Sequence, residues 1–305
     1  MSQPQAGILP EPSQSALFLI LRVRNRVADG GTVARASAGV PALVAKVGAA
    51  DRRSRLVCTV GCGPEFWDLI SPAKRPKGLR RFTAIDTRTP STGGDLLLHI
   101  ISRRSDFNFE LARRIMTQLG DTVEVMDEVH GFRYLDTRDL TGFIDGTENP
   151  KGKQRALVAL IGKDDPDFSG GSYVFTQRYV HNLKKWATLP LTQQESTIGR
   201  RKKDSKELSD KVKPPTAHIS RVVIEEHGDE LQIVRHSFPY GTMTEAGLFF
   251  IAYTKDLTIP EKMLKRMFGR TGDGLHDQLM DFTRAVSGAT FFAPSLKVLT
   301  SLAGR

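Results

Sequence analysis

The sequence predicts an α+β protein made of two ferredoxin-like domains, a duplicated βαββαβ unit with antiparallel sheets. Three observations predict it. At 305 residues the chain suits two domains of about 150 residues each. Apolar runs of strand length are followed directly by segments with apolar residues at helical spacing. One such strand–helix pair also occurs twice. Leu96 to Ile101 with Phe107 to Leu119 aligns without gaps on Gly247 to Tyr253 with Ile259 to Phe268, placing Leu98 opposite Phe250 and Arg114 opposite Arg266. The division expected is 1–150 for the N-terminal domain and 151–305 for the C-terminal one.

The elements follow in order. Residues 1–14 are rich in Pro, Gln and Ser and read as a loose arm or edge segment. Ser15 to Val23 reads as a buried strand, with a counterpart in Tyr173 to Arg178. Thr32 to Lys46 carries Ala, Val and Leu at helical spacing, and Leu56 to Val60 is a short strand. Glu65 to Ile70 begins a helical turn that Pro72 ends. In Phe107 to Leu119 the residues Phe109, Ala112, Ile115, Met116 and Leu119 share one face, and Gly120 sits where a helix stop belongs. Val123 to Phe132 is another strand. In the second half Pro260 stands early in its helix, where proline is tolerated. Residues 198–215 form a long, charged, irregular insertion, a type of loop that often serves function.

Composition narrows the partners. The formal net charge is +10, concentrated in Lys74 to Arg81 and Arg200 to Lys203. Neither run is interleaved with aromatics, as a single-strand binder would want, so no nucleic-acid partner is expected. The longest early apolar run, Ala16 to Leu21, is too short to span a bilayer, and no basic leader precedes it. The reading is a cytoplasmic protein with no membrane partner. Cys58 and Cys62 are too few for a tetrahedral metal site or a disulfide framework, and read as reduced thiols. None of the seven histidines forms an HxH or HxxxH pair, which argues against zinc.

Four segments carry candidate chemistry. In Gly142-Phe-Ile-Asp145-Gly146-Thr147-Glu-Asn-Pro150 the Asp-Gly and Asn-Pro steps are turn chemistry by themselves. Yet Asp145 follows two apolar residues, and a carboxyl in a poorly solvated pocket is suited to moving protons. His218 follows the double proline of Pro214-Pro-Thr-Ala and leads into an expected strand at Val222 to Ile224. Arg235 and Ser237 stand at a strand end before Phe-Pro-Tyr-Gly241. Asp281 interrupts an apolar helical pattern in Leu279 to Gly288, and a buried aspartate there would need a partner.

Taken together and in this order, these segments resemble the dye-decolourising peroxidase family, and more closely its bacterial class B. The resemblance runs from Ser15 to the end of the chain. It implies two ferredoxin-like halves with one haem b per chain, held mainly by the second half. It implies His218 as the iron ligand, with Asp281, or as second choice Asp277, as the acid behind it. Asp145 and Arg235 match the residues that handle peroxide. Ser237 stands where members carry Asn or Ser and would hold a relaying water. Gly146 and Thr147 join the cofactor-binding set. The activity implied is oxidation of aromatic donors, dyes and phenolics, by hydrogen peroxide through a ferryl state. The alternative is a haem-handling protein that removes iron from haem. The family further suggests a homo-oligomer, a dimer or larger. Some members are packaged in encapsulin shells by a flexible tail; here residues 295–305 read as an apolar, helix-like end, which speaks against encapsulin packaging.

Overall fold

The computed structural model describes residues 2–71 and 74–304. In chain order the elements are β1 (Ser15–Val23), α1 (Arg26–Gly48), β2 (Val57–Cys62), α2 (Pro64–Ile70), β3 (Leu96–Ser102), α3 (Ser105–Leu119) and β4 (Val123–Phe132). Then come α4 (Gln154–Ala159), β5 (Ser172–His181), α5 (Leu183–Ala187), α6 (Leu191–Ile198) and α7 (His218–Val222). The rest are β6 (Glu225–Glu226), β7 (Asp229–Glu230), β8 (Val234–Arg235), β9 (Phe238–Gly241), β10 (Ala246–Thr254), α8 (Thr258–Met267), β11 (Thr283–Ala285), β12 (Ala289–Ala293) and α9 (Leu296–Ser301). The expected end of α2 at Pro72 lies outside the described residues.

The duplicated unit is present in both halves. The first half orders its strands β2-β3-β1-β4, and the second repeats that order as β9-β10-β5-β12. All these neighbours are antiparallel, with Leu19 opposite Leu98 in one half and Thr176 opposite Ile251 in the other. The two sheets also join. Gly131 of β4 pairs with Tyr240 of β9, and Cys62 of β2 pairs with Phe292 of β12, so the strands close into one ring.

The ring explains why β1 reads as a continuous apolar run. Alternate residues of a strand point to opposite faces, and here both faces are buried. Leu17, Leu19 and Leu21 pack beneath α1 and α3. Ala16, Phe18 and Ile20 point inward, against Phe249, Ile251 and Phe291 of the second half.

Several local expectations change. The N-terminal arm is not loose: Gln5 Nε2 donates to the carbonyls of Val60 and Pro294 at 2.9 Å, its Oε1 accepts from Val60 N at 2.8 Å, and Ile8 is buried. The buried face of α3 runs through Phe107, Leu111, Ala112, Ile115 and Leu119, while Phe109 is 57 % exposed. Around Asp281 there is no helix, but a 3-10 turn, Gln278–Asp281, followed by β11. Residues 199–217 carry neither helix nor strand, as expected, yet they are held: Arg138 donates to the carbonyls of Gly142 and Lys202 at 2.7 and 2.8 Å, and Arg200 pairs with Glu148 and Glu207. In the first basic run, Lys74 faces Asp167, Arg75 faces Asp68 and Arg80 faces Glu261. Among the described residues no helix is long and apolar enough to cross a membrane.

Candidate active site

The segment joining the halves folds back on itself to present Asp145. Phe143 N–H and C=O do not both face solvent: its carbonyl accepts from Asp139 N at 2.8 Å, and Asp145 N donates to Thr137 O at 2.9 Å. Phe143 anchors the turn in a small core with Trp186 and Ile198. Gly142 (φ 89°) and Gly146 (φ 77°) occupy the left-handed region on either side, where a side chain is strained. At Gly142 an added Cβ would also strike Lys202. Gly146 N then donates to Asp145 Oδ1 at 2.6 Å, which fixes one carboxylate oxygen and leaves Oδ2 for other work.

Arg235 is brought to this carboxylate by Asn149. The asparagine amide donates to Arg235 O at 2.9 Å and accepts from Arg235 N at 2.8 Å, standing in for a neighbouring strand beside the two-residue β8. Arg235 Nη1 then lies 3.7 Å from Asp145 Oδ1, both side chains being part-buried. Asn149 belongs to the motif singled out in the sequence, but its role was not legible there; reciprocal pairing with a distant backbone leaves no local pattern.

His218 does not lead into a strand. It opens the one-turn helix α7, after Ala217 N has closed a turn onto Pro214 O at 3.1 Å. Its Nδ1 is 2.6 Å from Asp277 Oδ2. This corrects the expected partner: Asp277, fully buried, backs the imidazole, whereas Asp281 is about half exposed and faces His276 at 3.2 Å. The reason is the 3-10 turn. Asp277 is its N-cap, with Oδ1 accepting from Leu279 N at 2.9 Å and the other oxygen turned to His218. Asp281 ends the same turn on the outside. A polar N-cap ahead of Leu-Met was the signal available in the sequence. Because a carboxylate only accepts, Nδ1 carries the proton and Nε2 presents its lone pair.

Asp145, Gly146, Thr147, Arg235 and His218 line one cavity of about 1380 Å³, its open mouth included. The remaining walls are largely apolar, with Phe175, Leu248, Phe250, Ile219, Leu264 and Met280 among them. A large planar apolar cofactor with a metal centre fits this donor set: a broad dry slot, one imidazole nitrogen with no hydrogen-bond partner among the described residues, and a charged pair in the same chamber. Ser237 is placed differently. It is absent from the cavity wall among the described residues, and its hydroxyl accepts from Ile251 N at 3.4 Å, because the chain breaks between β8 and β9 there. Asp281 is likewise outside the wall.

The sequence reading also missed a second His–Asp couple in this cavity. His181 is bound on both ring nitrogens, to Thr283 Oγ1 at 2.7 Å and Asp139 Oδ1 at 3.1 Å. Burial would raise the Asp139 carboxyl, but hydrogen bonds from His181 and Thr141 outweigh it and hold it at about 2. With no free nitrogen, His181 is a tie between β5, β11 and the Asp145 loop.

Fold and site together are those of an oxidoreductase that acts on peroxide. The chain belongs to the Dyp-type peroxidase family: the N-terminal family model matches residues 5–133 and the C-terminal one residues 136–298. It is 42% identical to a dye-decolorizing peroxidase of Mycolicibacterium paratuberculosis, over 97% of this chain and 85% of that one. It is 43% identical to a variant of DypB from Rhodococcus jostii solved in complex with haem, with a TM-score of 0.94 and 98% of each chain covered. The encapsulated peroxidase of Mycobacterium smegmatis is 38% identical, again at TM-score 0.94 and 98% of each chain. A deferrochelatase of Yersinia pestis is more distant, 24% identical over 95% of this chain and 80% of that one, so the iron-removal alternative rests on the weaker likeness.

Proposed function

We propose that this cavity holds one haem b per chain, bound mainly by residues 151–305, with His218 Nε2 as the iron ligand and Asp145 and Arg235 acting on hydrogen peroxide. The observation that carries this reading is the Asp277–His218 couple opening into the chamber that also contains the carboxylate–guanidinium pair. Bound there, haem supplies the iron on which the O–O bond is split and the oxidising equivalents are taken up.

The chain's own groups do the rest. Asp277, anchored by Leu279 N, draws the Nδ1 proton and raises the basicity of Nε2, which favours an electron-rich iron. Asp145 Oδ2 takes a proton from peroxide and returns it to the departing oxygen. The Arg235 guanidinium stabilises the negative charge on that oxygen inside walls poor in water. Gly146 and Thr147 form the floor next to Asp145. Ser237 accepts from Ile251 N of β10 and keeps its O–H free to hold a relaying water. Electron donors are aromatic: dyes, as the names of the relatives indicate, and phenolics of like chemistry. We place the enzyme in the cytoplasm as a homo-oligomer of two or more chains, a point that sedimentation and fractionation test.

The test of the site is spectroscopic. His218→Ala, purified and mixed with haem, is expected to lose the Soret band of the parent, while Asp281→Asn keeps it. An unchanged Soret band in His218→Ala would overturn the ligand assignment.

A further inference from the structure

Behind the cavity wall, inside the strand ring, lies a polar cluster that the peroxide chemistry does not use. Tyr253 of β10 and His99 of β3 are both fully buried, and Tyr253 Oη is 2.8 Å from His99 Nδ1. His99 stacks on Phe18 (centroids 4.8 Å) and lies 6.4 Å from the ring of His236. His99 Nε2 and His236 Nε2 are buried without a partner among the described residues. Leaving such groups dry costs about 1–3 kcal/mol each, so packing alone is a poor reason for their presence.

Electrostatics fix the protonation. Burial, and then His236, push the His99 imidazole well below its ordinary value, and burial with Arg155 pushes His236 down to about 3. Burial pushes the Tyr253 phenol up, with only a small offset from Thr59. A protonated phenol therefore meets a neutral imidazole, and in the tautomer that carries its proton on Nε2 the Oη–H donates to Nδ1. The cluster is also close to the chemistry. Phe250, three residues before Tyr253 on β10, lines the cavity; three residues of strand span about 10 Å. Ala252, next to Tyr253, pairs with Arg235.

We propose that Tyr253 is a redox-active residue, with His99 as its proton acceptor, that stores one oxidising equivalent when no external donor is bound. This rests on the haem–peroxide reading above. Peroxide takes two electrons from the site as it becomes water. Tyr253 returns one of them, and its phenolic proton crosses to His99 Nδ1. The products are a neutral tyrosyl radical and an imidazolium hydrogen-bonded to it; no other bond forms or breaks. One electron from a later aromatic donor, with the proton handed back by His99 Nδ1, restores the phenol and the neutral imidazole. Without the acceptor, oxidation would leave a phenol radical cation, a far stronger acid than imidazolium, with no base in reach to take its proton.

The experiment treats the haem-loaded enzyme with one equivalent of hydrogen peroxide and no donor, then freezes it for electron paramagnetic resonance. The parent is expected to show a tyrosyl signal that narrows when the protein is made with ring-deuterated tyrosine. Tyr253→Phe, which keeps the ring in the core, is expected to lose most of that signal. His99→Gln is expected to lower it at least tenfold, with its Soret response to peroxide unchanged. A radical of parental intensity in Tyr253→Phe overturns the proposal, as does one of parental intensity in His99→Gln. The two levels separate cleanly: a parent whose Soret band ignores peroxide sinks the haem–peroxide reading, whereas a normal Soret response without a Tyr253-dependent signal sinks only this inference.

Discussion

At the scale of single residues, the site divides labour between groups that touch peroxide and groups that hold them. Arg235→Leu is expected to slow the spectral reaction with peroxide on the order of 10²–10³-fold, since it removes fixed positive charge from where negative charge develops. Asp145→Asn is expected to cost no more than that, and a clearly larger loss in stopped-flow mixing would reverse the ordering. Asp277→Asn keeps a hydrogen bond to His218 but removes the negative charge behind it. It should raise the iron reduction potential in a spectroelectrochemical titration, while Asp281→Asn leaves it in place. The contrast between these two aspartates shows where sequence reading stopped. Asp145, His218 and Arg235, each set in a motif of the sequence, are brought by the structure to one cavity. The choice between Asp277 and Asp281 depended on a 3-10 turn winding where a helix was expected, which reversed the exposed and buried positions. Asp139 supplies a test of a tie rather than a catalyst. Its carboxyl is depressed to about 2, so it stabilises the fold above the ordinary aspartate range and loses that contribution as pH falls towards 2. Asp139→Asn should lower stability by ~2 kcal/mol near neutral pH. The gap in Tm should close in acid; a gap that stays constant would exclude the His181 tie as its source.

At the scale of elements, strands and helices were readable wherever one face repeats, and unreadable where a single side chain does the holding. β1 falls on the residues expected because burial of both faces leaves a continuous apolar run of strand length, and β4 falls on its expected range as well. The N-terminal arm reads as loose by composition, yet Gln5 pins it with three hydrogen bonds to a strand and a turn far away in sequence. β8 poses the same problem. Two residues do not make a stable strand, and Asn149 supplies the missing neighbour for Arg235. Asn149→Ala should therefore slow the peroxide reaction although no reacting group is altered, and cost about 1–3 kcal/mol for the backbone groups left unpaired. Asn149→Asp can accept from Arg235 N but cannot donate to Arg235 O, so it should fall between the two. Haem content per chain measured by Soret absorbance should be the same in all three; a loss of haem in step with activity would mean the loop, not Arg235, had moved.

At the scale of the whole molecule, the duplication was legible and the closure was not. Two copies of one unit leave a sequence repeat, but the joints between them are single residue pairs, Gly131 with Tyr240 and Cys62 with Phe292. Inside the ring the halves share one core: Phe18 stacks on Phe249 with centroids 4.1 Å apart, and His99 bonds Tyr253. Across the rim, Arg178 of β5 pairs with Asp127 of β4 at 3.0 Å and lies over Tyr240 of β9. A core shared in this way couples the halves, because unfolding either one exposes the inward face of the other to water. Calorimetry of the apoprotein should then show one endotherm whose van't Hoff and calorimetric enthalpies agree. Phe249→Ala removes a buried ring from the shared core and should cost ~3–5 kcal/mol. In a coupled ring that loss shifts the entire endotherm to lower temperature. Were the halves independent domains, the variant would split the trace, leaving the part due to residues 1–150 at its original temperature.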